Sequence, residues 1–343
     1  MVGVLVIIIM KTIKRILVIR LSSIGDIILT TPLIRRLTVA YPDAVIDYCT
    51  KPGFYSLLAS NPRLSAIYTT EALPSGHYDL VVDLQNNVRS RAIVHTLQPT
   101  YKVFYRKENW KKWLIVNFKI NLFSTNRSVV DRYHDTLAEF CVSDDQSGCE
   151  LHTTSDENTF AAKYFDSGLK TLALCFGANH FTKRYPPKHF ASILELILAE
   201  KPLQVLLLGG KEDSEQAAEI INNLPDVIQP YVINLAGTCT LMQSAAILER
   251  CEAVLCNDTG LMHMASSFGT KLFVIFGSSS SVFGFLPYHS PYELFEVKKL
   301  YCRPCSHIGR DQCPKRHFRC MNELSQPIIA RKIIDHFKEC IPT

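Results

Sequence analysis

The sequence predicts an α/β protein made of two doubly wound parallel-sheet domains that face each other across a cleft. Three observations carry that expectation. Short unbroken apolar runs alternate with stretches of helical period through both halves of the chain, the rhythm of β-α-β units. The runs do not alternate apolar with polar residues, so they read as strands covered on both faces, as parallel strands are. A stretch rich in Ser, Asp, Gln and Gly, 142–168, breaks the rhythm and marks a domain boundary. At 343 residues the chain has room for two domains of about 100–200 residues each.

In the first half, RILVIRL (15–21) is a buried strand and SSIGD (22–26) the loop that leaves it. Residues 27–40 carry apolar positions at helical spacing and stop at Tyr41-Pro42. Strands follow at 44–50, 66–69, 78–84 and 101–105, with helical segments at 54–60, after QNNVRS, and at 129–141. In the second half, strands are expected at 172–176, 205–208, 232–235, 254–256 and 271–276. Helices are expected at 188–200, 212–223, 241–250 and 261–268, and an amphipathic one at 328–340. The expected domains are 10–155 and 165–325, with a C-terminal helix within 326–343.

Composition excludes several classes. Hydrophobic residues make up 47% and charged residues 20%, which describes an ordered globular chain. A net charge of +5 is too small for a nucleic-acid binder. Twelve cysteines without an export signal suit a reducing, cytoplasmic setting. The opening MVGVLVIIIM is apolar, lacks a basic lead, and is too short to span a bilayer. KTIKRILVIR follows it like an ordinary start, so residues 1–9 read as an upstream extension or a frayed tail.

Ligands of a parallel sheet bind at the carboxyl ends of its strands. The loop in VLCNDTGLMHMASSFGTKLFVIFGS is the best placed, because it joins a strand to a helix start. Asp258, Thr259 and Gly260 there read either as a helix cap and turn or as a phosphate-holding loop. His263, in the first turns of that helix, is either a phosphate contact or a packed histidine. Lys183, in the Gly-containing loop after the 172–176 strand, is either a surface lysine or a cation that neutralises a diphosphate without a metal. Glu212, after Gly209-Gly210, is either a ribose contact or a first-turn acid. Across the cleft, Asp26 beside Gly25 is either a helix cap or a general base. Residues 102–119 hold six Lys or Arg and one Glu, interleaved with aromatics. They read as a surface for anionic lipid or an acidic acceptor, or as a solvated helix face.

Four motifs together resemble glycosyltransferase family 9, the heptosyltransferases of lipopolysaccharide core assembly. ILVIRLSSIGDIILTTPLIRRL resembles the family's first strand, S-x-G-D loop and helix. DLQNNVRS resembles its D-L-Q…R-S segment, and the Thr182-Lys183-Arg184 loop its nucleotide-sugar lysine loop. NDTGLMH (257–263) is similar to its D-T-G-x-x-H loop and is the most specific. The resemblance implies a GT-B fold of two Rossmann-like domains, the first binding acceptor and the second nucleotide sugar. It implies inverting, metal-independent transfer of heptose from ADP-heptose to the lipid A–inner-core saccharide, at the inner-membrane surface. Asp26 would be the base. Lys183, Asp258, Thr259, Gly260 and His263 would serve the diphosphate, Glu212 the ribose, and Leu241-Met242 the adenine. Ser23, Arg89, Lys107, Lys111 and Lys112 would serve the anionic acceptor. A GT-B chain also commonly ends in a helix that returns to the N-terminal domain, a role open to 326–343.

CRPCSHIGRDQCPKRHFRCM places Cys302, Cys305, Cys313 and Cys320 in one basic segment, compatible with a structural zinc site or with reduced thiols in an acceptor-facing loop. Two rival functions remain open from sequence: a related transferase using another nucleotide sugar for a different cell-envelope glycan, and a non-catalytic nucleotide-binding module.

Overall fold

Strands that are apolar on both faces need helices on both sides, and the chain supplies them in strict alternation. A computed structural model describes residues 12–123, 127–165 and 168–339; residues 1–9 fall outside these. The first half runs β1 (Arg15–Ile19), α1 (Ile24–Ile28), α2 (Thr31–Ala40), β2 (Val45–Thr50), β3 (Ala66–Thr69), β4 (Leu80–Asp83), α3 (Val88–Leu97), β5 (Tyr101–Phe104), α4 (Asn109–Phe118) and α5 (Val129–His134). Its strands lie in the order β3-β2-β1-β4-β5. Every pairing is parallel, with Ile16 between Ile46 and Leu80.

The second half runs α6 (Ser155–Ala162), β6 (Thr171–Cys175), α7 (Pro187–Glu200), β7 (Gln204–Leu208), α8 (Ser214–Asn222), β8 (Val232–Asn234), α9 (Leu241–Arg250), β9 (Ala253–Asn257), α10 (Gly260–Ser266), β10 (Lys271–Phe276), β11 (Tyr292–Glu296), α11 (Arg319–Asn322) and α12 (Gln326–Glu339). The sheet order is β11-β10-β9-β6-β7-β8, again all parallel. In each sheet the strand order reverses once, between β1 and β4 and between β6 and β9. Crevices form at the carboxyl ends beside such reversals, so the topology alone places a site after β1 and β4 and another after β6 and β9.

One continuous core joins the inner faces of both sheets, from Ile16 and Val18 through Met262 and Met264 to Val274. The outer face of the second sheet is buried under α7 and α12, with Phe190, Ile193 and Ile333 at its centre. The outer face of the first sheet has a smaller cluster, in which α3 contributes Ile93 and Val94.

Five expectations need correction. The expected 27–40 helix is two helices, α1 and α2. Pro32 sits in the first turn of α2, where a missing N–H is harmless, and the Thr30 hydroxyl donates to the Ile27 carbonyl instead. The 54–60 segment is a 3₁₀ helix over Pro52–Leu57, and 129–141 is α5 followed by a 3₁₀ turn over Asp135–Phe140. Within 142–168 lies α6, capped reciprocally by Thr154 and Glu157 and joined to α9 through the Thr153–Glu249 hydrogen bond, 2.8 Å; α6 therefore packs with the second domain although it precedes residue 165. The preceding stretch is pinned by Arg35 and Arg36 of α2 to Asp145, at 2.6 and 3.1 Å. Finally, α12 does not return to the first domain. Arg331 and Lys338 reach Glu200 of α7 at 3.1 and 2.7 Å, and Ile329, Ile333 and Phe337 are buried in the second domain's core.

Candidate active site

The turn after β1 is set by Arg20, whose side chain is buried. Its Nε donates to the Ser22 carbonyl at 2.8 Å and its Nη1 to the Leu84 carbonyl beyond β4 at 2.7 Å. Nη2 then meets Asp26 Oδ1 at 2.6 Å. Asp26 Oδ2 accepts from the Ser23 N–H at 3.2 Å and the Ser23 hydroxyl at 2.9 Å. Asp26 thus completes the cap of α1, and it also lines the cleft. A carboxylate has about four acceptor positions, and these contacts use three, leaving one for an incoming hydroxyl. Burial pushes the Asp26 pKa up, but Arg20 and the Ser23 hydrogen bonds outweigh it, so the group stays below the usual carboxylate range and is ionised at neutral pH.

The matching turn after β9 has the same construction with a lysine. Asn257, fully buried, donates to the Phe176 carbonyl after β6 and accepts from the Tyr185 N–H at 3.3 Å, fixing the 177–185 loop. Lys183, in the Phe181–Lys183 3₁₀ turn, places Nζ 2.8 Å from Asp258 Oδ2. The Ser279 hydroxyl donates to the same oxygen at 2.7 Å. Burial raises the Asp258 pKa, and Lys183 and Ser279 more than reverse it. Thr259 caps α10 without a side-chain hydrogen bond.

The two turns touch through their glycines. A Cβ on Gly25 would lie 2.4 Å from His263 Cδ2, and one on Gly260 2.8 Å from Ile24 Cβ. Only glycine allows α1 and α10 this approach. Burial drives the His263 pKa down to about 4, against the pull of Asp258 and Asp26, so its ring is neutral in this structure. Asp26, Lys183, Glu212, Asp258, Thr259, Gly260 and His263 all line one cleft of about 580 Å³, within the range of roughly 300–1,000 Å³ usual for small-ligand sites.

A profile described as Glycosyltransferase family 9 (heptosyltransferase) matches residues 68–315. The chain belongs to glycosyltransferase family 9. It is 25% identical over 298 residues to lipooligosaccharide heptosyltransferase 2 of Haemophilus influenzae, covering 77% of this chain and 84% of the relative. It is 26% identical over 295 residues to lipopolysaccharide heptosyltransferase 2 of Escherichia coli, covering 78% and 84%. Among solved structures, the family 9 glycosyltransferase of Veillonella parvula superposes with a TM-score of 0.77 at 20% identity, covering 95% of this chain and 98% of that one. E. coli ADP-heptose lps heptosyltransferase II gives 0.68 at 23% identity, covering 93% and 99%. The two facing parallel-sheet domains are the GT-B architecture.

In this family 9 glycosyltransferase several expected site residues take other places. Met242 is buried in the core, and Leu241 and Ser244 line the cleft instead. Ser23 does line the cleft, with its hydroxyl given to Asp26. Arg89 is exposed and lines neither cavity, whereas Arg91 of the same helix lines an open groove of about 710 Å³ with Arg106, Lys107 and Lys111. The DLQNNVRS motif is mainly structural. Asp83 accepts from the Asn86 N–H and the Ser90 hydroxyl, both at 2.8 Å, and Gln85 accepts from the Leu21 N–H at 2.9 Å.

The basic stretch divides. Lys111 is paired with Glu108. Lys112 is only 8% exposed and faces inward. Burial and repulsion from Arg132 push its pKa down to about 8, and Asp26 partly offsets them. Residues not singled out from sequence complete the site: Arg20, which aims Asp26; Asp213, which accepts from the Gly210 N–H at 3.0 Å; Ser279; and His307, which lines the cleft. The RILVIR run, ending a buried strand in a cation, is the signal that was available for Arg20.

The cysteine segment buttresses the lysine loop. Cys305 donates its N–H to the Ser278 carbonyl at 3.2 Å, and the Arg310 N–H reaches the Thr182 hydroxyl at 2.8 Å. The thiols of Cys305 and Cys320 are pushed up, chiefly by burial, Cys320 to about 12. No group of three or more His, Cys, Asp or Glu among the described residues is arranged to hold a metal ion.

Proposed function

We propose that this glycosyltransferase moves heptose, with inversion, from ADP-heptose to a hydroxyl of the lipid A–inner-core saccharide of lipopolysaccharide, working at the cytoplasmic face of the inner membrane. One observation carries the reading: an ionised carboxylate aimed by Arg20 and a lysine held by Asp258 line one cleft from opposite domains. The heptosyltransferase relatives supply the sugar and the acceptor.

In this mechanism the acceptor oxygen attacks the anomeric carbon and its proton passes to Asp26. The bond to the diphosphate breaks, and ADP leaves with the electron pair. Arg20 makes Asp26 a weak base, which suits a late proton transfer: the hydroxyl becomes acidic only as its oxygen bonds to the sugar. Lys183 neutralises the leaving diphosphate, with the adenine end towards Leu241 and Ser244 and the ribose near Glu212. On the acceptor side, Lys107 of the open groove and the inward Lys112 meet anionic groups. The test is to incubate the protein with ADP-heptose and a panel of truncated acceptors and to measure mass gain. Gain with another sugar nucleotide and none with ADP-heptose would reject the donor assignment.

A further inference from the structure

Helix α4 is built inside out. Its inward side presents Ile115 and a lysine, Lys112, both buried. Its outward side presents Trp110 at 58%, Trp113 at 56% and Phe118 at 59% exposure. These positions fall within about 140° of the helix surface at 3.6 residues per turn. Trp113 and Phe118 pack edge to face at 5.3 Å, and Ile120 and Leu122 continue the exposed apolar surface beyond the helix. The two tryptophans of the chain are therefore both spent on one surface. Water alone gives no reason for that, since such clustered patches mark interaction sites.

The patch is held firmly. Lys119, just past the helix, donates from Nζ to the Pro304 carbonyl at 2.7 Å and the Cys302 carbonyl at 3.4 Å. Arg132 stacks on Phe123 at 5.0 Å. The rim is cationic: Lys102 and Arg106 are exposed, Lys107 is half-buried, and the acid of this stretch, Glu108, is already taken by Lys111. Exposed tryptophan and phenylalanine bordered by cations match a lipid headgroup interface. Ten residues of helix are too short to cross it, so α4 would lie in the plane.

We propose that residues 110–122 insert their apolar outer face into the interface of an anionic bilayer, so that the enzyme docks by hydrophobic burial with the cations as a secondary attraction. This deepens the membrane half of the proposed function and rests on it. Because the inner side of α4 faces the Asp26 region through Lys112, the docked helix would hold the cleft where a membrane glycolipid's saccharide can reach it.

The tryptophans supply their own readout. Full-length protein is titrated with vesicles of phosphatidylcholine and phosphatidylglycerol (70:30) at 0.1 and 0.5 M NaCl. Tryptophan emission should move to shorter wavelength and be quenched by lipids brominated near the headgroup, and partitioning should fall no more than about tenfold at the higher salt. Phe118→Ser/Ile120→Ser/Leu122→Ser keeps both probes and should partition about 10–100-fold more weakly. Its turnover of a water-soluble truncated acceptor should equal wild type. No emission shift and no bromolipid quenching in the wild type would overturn insertion. So would binding that vanishes at 0.5 M NaCl, which would leave electrostatic attraction only. Normal vesicle binding by the triple variant, with a dimer-to-monomer change in sedimentation, would assign the patch to a second copy. Failure of the wild type to transfer sugar to the soluble acceptor would count against the transferase reading alone.

Discussion

Asp26 and Asp258 occupy comparable places in the two halves, one in the first turn of the helix after β1 and the other in the turn before α10, each beside its sheet's reversal point. Each is paired with one cation and one serine, and each is held below the ordinary carboxylate range. They differ in the cation. Arg20 is fixed at both ends by backbone carbonyls, so it can only aim its carboxylate. Lys183 is a flexible point charge whose anchor is the carboxylate, so there the acid aims the base. One construction thus yields an aimed anion on one wall and an aimed cation on the other.

Substitutions test that asymmetry. Asp26→Asn should lower kcat by about 10²–10⁴-fold, the contribution of a positioned base, and leave ADP affinity unchanged; steady-state kinetics with calorimetry of ADP binding separate the two. Asp258→Asn should show the opposite profile, weakening ADP about tenfold, the equivalent of roughly 1.4 kcal/mol of lost lysine positioning, with a smaller effect on kcat. Similar profiles for both variants would erase the distinction.

Gly25→Ala pushes a methyl against His263 and should destabilise the protein by about 1–3 kcal/mol, read as a lower denaturant midpoint. A neutral effect would mean that the seam between the turns yields freely.

Acid should act on the same seam. In the unfolded chain His263 takes a proton near 6.5, but in the fold only near 4. The unfolded state therefore binds more protons between those values, and stability is full above about 6.5 and declines towards pH 4 by on the order of 3 kcal/mol. Asp26 and Asp258, with depressed values, add further loss below about pH 4 as the unfolded carboxylates protonate. In His263→Gln the upper limb should flatten; an unchanged denaturation profile from pH 6.5 to 4 would contradict the buried neutral imidazole. EDTA should have the smallest effect, leaving transfer unchanged, because the proposed mechanism gives Lys183 the work of a divalent ion; an obligatory Mg²⁺ requirement would remove Lys183 from that role.

Periodicity made α9 and β10 legible to the residue, because their apolar faces are unambiguous. It missed α6, although Thr154 and Glu157 spell a capping box, because that helix has almost no apolar stripe. It missed β11, whose half-exposed sequence YELFE lies at the sheet edge. The amphipathic face of α12 said that something would be buried, but not that α7 would do the burying. Of the site, the turns and their glycines were visible as motifs. Arg20's hold on Asp26, the burial of Met242 and the inward turn of Lys112 were not. Each depends on partners distant in the sequence, such as the Leu84 carbonyl that anchors Arg20, or on which side of a helix meets the core.

His263 belongs to the second domain but rests on Gly25 of the first, and its ring is neutral. If Asp26 takes a proton during transfer, one of the two carboxylates favouring imidazole protonation disappears, and the ring becomes harder still to charge. The two domains are therefore coupled electrostatically as well as sterically: a change of charge on Asp26 is felt by a ring that belongs to the other domain, through contact that only a glycine permits.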